Sequence, residues 1–241
     1  MQKIQKTNVE DLASKFRDQA YYFVIPLLAD GIKSQLTQKG PLTAELQEIY
    51  QMAIKVFFKL LFVAYVEDKD LFPHLSNSVY RENSLKTIAE VLLKHWKSGH
   101  EFGPGLKLWK KTQAILRAFE EGNPDWDIPA YGGGLFSIDQ GKPKILLPLE
   151  EINLPDKVLG PILRRFLLMP GADGEQGLVD FRLLGLKEFG TIYEGLLESE
   201  LTIAETNLVL EKKGKFKDTY RECLGNEKID IPRGQIFLSN S

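Results

Sequence analysis

A single cysteine, Cys223, stands in a chain of 241 residues. An internal disulfide is therefore impossible. With no Cys-x-x-Cys pair and only His74, His95 and His100, there is no cysteine–histidine spacing for a metal site. So few thiols point to a reducing, cytoplasmic compartment. Neither charge is in excess: 31 Lys and Arg face 33 Asp and Glu, for a net charge of −2. Any attraction to nucleic acid must then come from a local patch and not from the overall field. Long hydrophobic runs are missing too. The most apolar stretch, "MAIKVFFKLLFVAYV" (52–66), is interrupted by Lys55 and Lys59. Its longest uncharged run, Leu60 to Val66, is well short of the roughly 20 residues of a membrane span. It reads as a nearly buried central helix, with no membrane partner. The N-terminus is polar and of mixed charge, unlike a signal peptide. There is no internal repeat, no low-complexity segment and no Gly-x-x-x-x-Gly-Lys-Ser/Thr phosphate loop.

What is present is mostly helical periodicity. Residues 8–38 carry an apolar stripe of Phe16, Ala20, Phe23, Leu27 and Leu28, and Pro26 should kink or divide that helix. A second helix covers about 42–70 and ends at "LFP". A third runs over 84–97, with Asn83 or Ser84 as N-cap and Gly99 just past its end. A fourth covers 106–121, with Leu106, Trp109, Ala114, Leu116 and Phe119 as core positions. The texture then changes. "NPDWDIPAYGGGLF" reads as loop, "KPKILLPLEE" as a short strand, "PDKVLGPILRRFLLM" as a helix and "PGADGEQG" (170–177) as a second glycine-rich loop. Residues 185–199 repeat apolar residues at Phe189, Ile192, Tyr193, Leu196 and Leu197. The tail has β-branched stretches, "LTIAETNLVLEKKGKF" and "RGQIFLSNS", and predicts a small antiparallel sheet. The expected fold is mainly α: a helical bundle over 1–122, a loop-rich helical segment packed on it over 123–199, and a β-hairpin region over 200–241.

Several short patterns carry possible chemistry. Gly132, Gly133 and Gly134 could cradle a phosphate through backbone N–H groups, but no strand precedes them; the other reading is a tight, closely packed turn. "NPDW" (123–126) resembles the Asn-Pro-Pro-Tyr/Trp tetrapeptide of DNA amino-methyltransferases, with Asp125 in place of the second proline. A turn after a helix is the simpler reading. "LEKK" (210–213) matches half of a magnesium nuclease site, Glu211 and Lys213, with Asp180 as the nearest upstream aspartate; a helix intervenes. "KKGKFKDTYR" is the most basic stretch. Its Lys212, Lys213, Lys215, Lys217 and Arg221, interleaved with Phe216 and Tyr220, suit contact with a nucleic-acid backbone or a solvated hairpin tip. Arg164 with Arg165, and Lys110 with Lys111, are weaker patches of the same kind. Glu67 and Asp68 sit in the last turn of a helix, where the macrodipole disfavours acids. A compensating buried or half-buried ion pair is expected, with Arg182 as partner. Gly190 and Gly195, inside a helix, predict close packing of another backbone.

Taken together, "FKLLFVAYVEDKDLFP", "PAYGGGLF" and "VDFRLLGLKEFGTIYEGLLES" resemble, over roughly residues 50–200, the helical connector of single-chain type IIG restriction–modification enzymes and related large DNA methyltransferases. "IYEGLLE" is the most specific block, a marker shortly upstream of the methyltransferase fold. The resemblance implies an N-terminal piece of a longer enzyme. The rest of that enzyme would bind S-adenosylmethionine and magnesium and hold the methyltransferase and target-recognition domains. The family's catalytic residues have no counterparts here, so no catalytic, cofactor or metal residue is carried over. Two function classes follow. One is a non-catalytic domain that positions the methyltransferase, and in some members a nuclease, on DNA, with weak, sequence-independent DNA contact of its own. The other is a stand-alone helical interaction or regulatory subunit.

Overall fold

The computed structural model describes residues 12–38, 46–131, 151–171, 174–213 and 218–240. It is mainly helical, with a small set of antiparallel strands towards the C-terminus. The first helix, α1, covers 12–38, and its helical assignment is not interrupted at Pro26. A π-helical turn (Ala20–Val24) precedes Pro26, and the helix continues as Ile25–Gln38. Pro26 has no N–H to give to the carbonyl four residues back, and a π-turn is one way to absorb that missing bond. The same turn moves the apolar stripe. Phe16, Ala20 and Leu28 are buried as expected, but Tyr21, Val24 and Ile25 take the inner positions and Phe23 and Leu27 are left partly exposed.

The central helix α2 (Leu46–Asp68) is apolar enough and long enough to cross a membrane, but 72% of its most apolar window is buried inside the protein. Lys59 on it is buried and ion-paired with Glu120. The short α3 (Ser78–Asn83) leads directly into α4 (Leu85–Lys97). Ser84 caps α4 by accepting from Thr87 N, and Gly99 past its end has φ 65°. Helix α5 (Lys107–Glu121) buries Trp109, Leu116 and Phe119; Thr112, Ile115 and Ala118 complete its inner face, while Leu106 is only half-buried and Ala114 is exposed. Helix α6 (Asp156–Leu167) packs against α1, α4 and α5. One apolar core runs from Phe16 to Leu238 through all of these helices. At its centre the rings of Phe16, Phe57, Phe166 and Phe181 meet at centroid distances of 5.4–6.2 Å.

The two ends of the 170–177 stretch belong to a β pair. Strands β1 (Leu168–Pro170) and β2 (Gln176–Leu178) pair antiparallel, Leu168 opposite Leu178. Helix α7 (Leu186–Leu197) follows on the outside of α2, joined to it by the Tyr65–Phe189 and Phe58–Tyr193 ring pairs and by Tyr50 Oη donating to Leu196 O at 2.6 Å. The tail forms two ribbons, not one sheet. Strand β3 (Ser199–Ile203) pairs with β6 (Ile236–Asn240), and β4 (Leu208–Lys212) with β5 (Thr219–Glu222), all antiparallel. The "KPKILLPLEE" strand falls almost wholly outside the described residues.

Gly160 marks the tightest approach between segments. A Cβ there would lie 2.5 Å from the Phe102 ring. Gly160→Ala should therefore cost about 1–3 kcal/mol through overpacking. Urea unfolding should show a lower midpoint, and truncating Phe102 to Ala in the same chain should remove the extra cost. Additive losses in the double variant would contradict the contact.

Candidate functional site

The acids at the end of α2 are compensated by a different arrangement from the expected ion pair with Arg182. Glu67 is buried and has no guanidinium beside it. Its Oε1 accepts from Tyr80 Oη at 2.5 Å and from Leu85 N at 3.0 Å, and its Oε2 accepts from Lys86 N at 2.8 Å. Leu85 and Lys86 are the first residues of α4, whose leading N–H groups have no partner within the helix. The Glu67 carboxylate thus caps α4 from another helix, while Ser84 takes the N–H of Thr87. Asp68 holds the half-buried ion pair. It lies 3.3 Å from Lys86 Nζ and also accepts from Phe181 N at 2.9 Å. Arg182 instead pairs with Asp180, at 2.7 Å and 2.8 Å. The sequence signal nearest to Glu67's partner was Ser84 as an N-cap; nothing local linked that helix start to an acid 17 positions earlier.

Burial pushes the Glu67 carboxyl up from 4.5 to about 7, against the Tyr80 hydroxyl and the two backbone N–H groups, which favour the charged form. A cleft of about 30 Å³ opens beside it, lined by Asp68, Leu85, Lys86, Leu167 and Phe181 among others. That is room for water, not for a substrate; ligand pockets run from about 300 to 1,000 Å³. Within the fold the perturbed acid ties the start of α4 to the end of α2.

The other patterns come to less chemistry than their sequences allowed. In "NPDW", Asn123 Oδ1 accepts from Trp126 N at 3.2 Å and closes a 3₁₀ turn (Pro124–Trp126); Asn77 pins the turn through Asp125 O and Asp127 Oδ2. The amide oxygen that would have read a flipped base is taken up in a cap. No group of three His, Cys, Asp or Glu that could hold a metal exists among the described residues, and Asp180 is taken up by Arg182. Lys213 lies 2.8 Å from Asp18 and over the Tyr22 ring. Arg221 makes a two-pronged pair with Glu227, at 2.8 Å and 2.6 Å, which draws the Glu227 carboxyl down to about 2. Of the five basic hairpin residues two are thus ion-paired, Lys212 is exposed at the end of β4, and Lys215 and Lys217 lie outside the described residues. The glycines Gly132, Gly133 and Gly134 also lie outside them. Gly195 is buried, its carbonyl accepting from Ser199 Oγ at 2.7 Å. Gly190 does not answer to close packing: a Cβ there would meet nothing within 4 Å.

Gly190 instead belongs to an uncovered face. Along α7, Leu186, Gly190, Tyr193 and Leu197 follow one another at helical spacing, with Leu186 84% and Leu197 55% exposed. Ile192 and Leu196 take the inner side. Comparison with protein-family models, with curated protein sequences and with solved structures gives no match to this chain.

The pH dependence of stability follows from Glu67. A carboxyl whose folded-state value is raised makes the folded protein bind the extra proton. Its contribution is complete below pH 4.5 and is lost as pH rises to about 7, a change on the order of 3 kcal/mol. In Glu67→Gln the amide still accepts from two donors and leaves the third unpaired, costing about 1–3 kcal/mol at low pH. Across pH 4.5–7 the melting temperature of the wild type should fall relative to that of the variant. Parallel profiles for the two proteins would show that Glu67 does not titrate there.

Proposed function

We propose that the chain is a non-catalytic helical domain of a restriction–modification enzyme, one that positions a methyltransferase, and in some members a nuclease, on DNA. The observation that carries this reading is the uncovered apolar face of α7. Leu186 and Leu197 stand outward on the same helix that holds "IYEGLLE", the block most similar to the connector family, with half-exposed Tyr193 between them. A contiguous apolar helix face left in water is a docking surface for another protein surface, and in this reading its occupant is the methyltransferase domain. The work of the chain is mechanical. The Glu67 and Asp68 contacts fix the end of α2 to α4 and to the turn before α7, so that the docking face is held by the core. S-adenosylmethionine and magnesium belong to the remainder of such an enzyme. Duplex DNA would meet this part of it only through phosphate contacts, with Lys212, Lys215 and Lys217 as the hairpin's contributors and Lys213 and Arg221 released from their acids on binding.

The reading frame beyond codon 241 tests the proposal. A cofactor-binding glycine motif and an Asn-Pro-Pro-Tyr-like tetrapeptide in that frame are expected, and a stop codon in their place overturns the connector. In that case the same face favours the second reading, a stand-alone interaction subunit. The docking face is tested by Leu186→Lys with Leu197→Lys. Because these side chains are mostly exposed among the described residues, stability should stay within about 0.5 kcal/mol of the wild type, while capture of the separately produced methyltransferase portion is lost. Retained capture would move the docking surface elsewhere.

Cofactor binding gives an independent check. Calorimetric titration of this chain with S-adenosylmethionine should give no saturable heat, and a micromolar dissociation constant would place a cofactor site within it.

A further inference from the structure

Two consecutive arginines stand near the end of α6. Arg17, Arg117, Arg182 and Arg221 each lie against a carboxylate. No ion pair joins Arg164 or Arg165 to an acid among the described residues. Each lies on an aromatic ring instead. Arg164 is centred 4.7 Å from the Trp96 ring and 5.9 Å from Phe102, and Arg165 is 4.0 Å from Phe23. Helix α6 runs between α1 and α4, so the two side chains splay to either side, one onto each neighbour. Burial and the charge of Arg164 both act against the charge of Arg165, so an anion placed between them would relieve a repulsion already present.

The surroundings have the same sign. The last turn of α4 carries Lys94, His95 and Lys97. His95 and His100 stack with centroids 4.1 Å apart, and Lys107 is close enough to act, with burial and His100, against the charge of His95. Acids occur on the same elements: Glu101 is exposed in the loop beside Phe102, Asp30 and Glu90 are exposed on α1 and α4, and Asp156 is already engaged by the backbone N–H groups of Lys107 and Leu108. Trp96 is 45% exposed although Arg164 covers part of it. Two arginines held by no acid, interleaved with aromatic rings that still present surface to water, suit a nucleic-acid strand with free bases: phosphates meet the cations and a base stacks on a ring. A paired duplex keeps its bases stacked on one another and could use only the cations.

We propose that the face formed by α6 with the flanking parts of α1 and α4 binds single-stranded nucleic acid, with Arg164 and Arg165 on phosphates and Trp96 stacked on a base. The site is separate from the hairpin lysines and does not depend on the connector reading. A stop codon after position 241 would end that reading and leave this site in place, whereas a failed titration would remove the site alone.

The protein carries its own reporter. Trp109 and Trp126 are 1% and 9% exposed, which leaves Trp96 as the one tryptophan open to a ligand. Oligothymidylate should quench tryptophan emission saturably, and the affinity should fall with salt. Trp96→Phe should abolish the quenching while anisotropy of a labelled oligonucleotide still reports binding. Arg164→Gln with Arg165→Gln should weaken binding by roughly tenfold or more and flatten the salt dependence by about 1.4 in log–log slope. If that pair disturbs folding, Lys94→Gln with Lys97→Gln, both fully on the surface, should flatten the slope in the same way. Unchanged slopes in both pairs, binding without quenching, or equal affinity for a duplex of the same length would each overturn the proposal.

Discussion

Glu67 is placed where its own helix disfavours it, at the C-terminal end of α2, and it is shut away from water. Its charge is tolerable only because the opposite pole of another helix is brought to it. The carboxylate accepts from the first two N–H groups of α4, and Tyr80, the buried residue of α3, supplies a third donor. Every element at this end of the bundle depends on that arrangement. If α4 started one residue later the N–H groups would miss the carboxylate, and a buried charge without partners costs several kcal/mol. Asp68, the next residue, extends the same clamp outward to Lys86 and to the backbone of Phe181, whose ring is part of the central aromatic cluster.

The device is used twice. Asp156, the first residue of α6, accepts from Lys107 N at 3.3 Å and Leu108 N at 2.8 Å at the start of α5, whose own N-cap, Leu106, has no side-chain acceptor. In both cases one helix supplies the anion that another helix start lacks. Two crossings of the bundle are thus set by directional bonds as well as by the apolar core, and α7, with its open face, is carried on a frame fixed in this way.

Where the signal was local, the sequence was readable. The N-cap of α4 at Ser84, its end at Gly99, the buried character of α2 and the antiparallel tail all follow from short-range rules and are found in the structure. The failures have a common physical origin in distance along the chain. Glu67 and Lys86 are 19 positions apart and Asp156 and Leu108 48, so no window of helical length contains either pair. Arg182 was the expected partner for the acids because both stretches lie in the blocks that resemble the connector family, but Asp180, two residues away, reaches it first. On α7 the apolar residues spread around too much of the helix for periodicity to tell the inner side from the outer; only the packing against α2 separates the buried Ile192 and Leu196 from the exposed Leu186 and Leu197. Arg164 and Arg165 looked weaker than the hairpin lysines when counted by local charge. Their standing changes once Lys213 and Arg221 are seen to be neutralised within the fold and the two arginines are not.

The account stands or falls on a carboxylate that is buried, charged for half its population near neutrality, and held by a neighbouring helix. The most direct measurement is a ¹³C NMR titration of the side-chain carboxyl carbons, with the Glu67 resonance assigned by its loss in the Gln variant. The account predicts an inflection near pH 7 for that carbon, accompanied by shifts in the amide signals of Leu85 and Lys86 at the same pH. An inflection at the ordinary glutamate value, with those two amides unmoved, would contradict it.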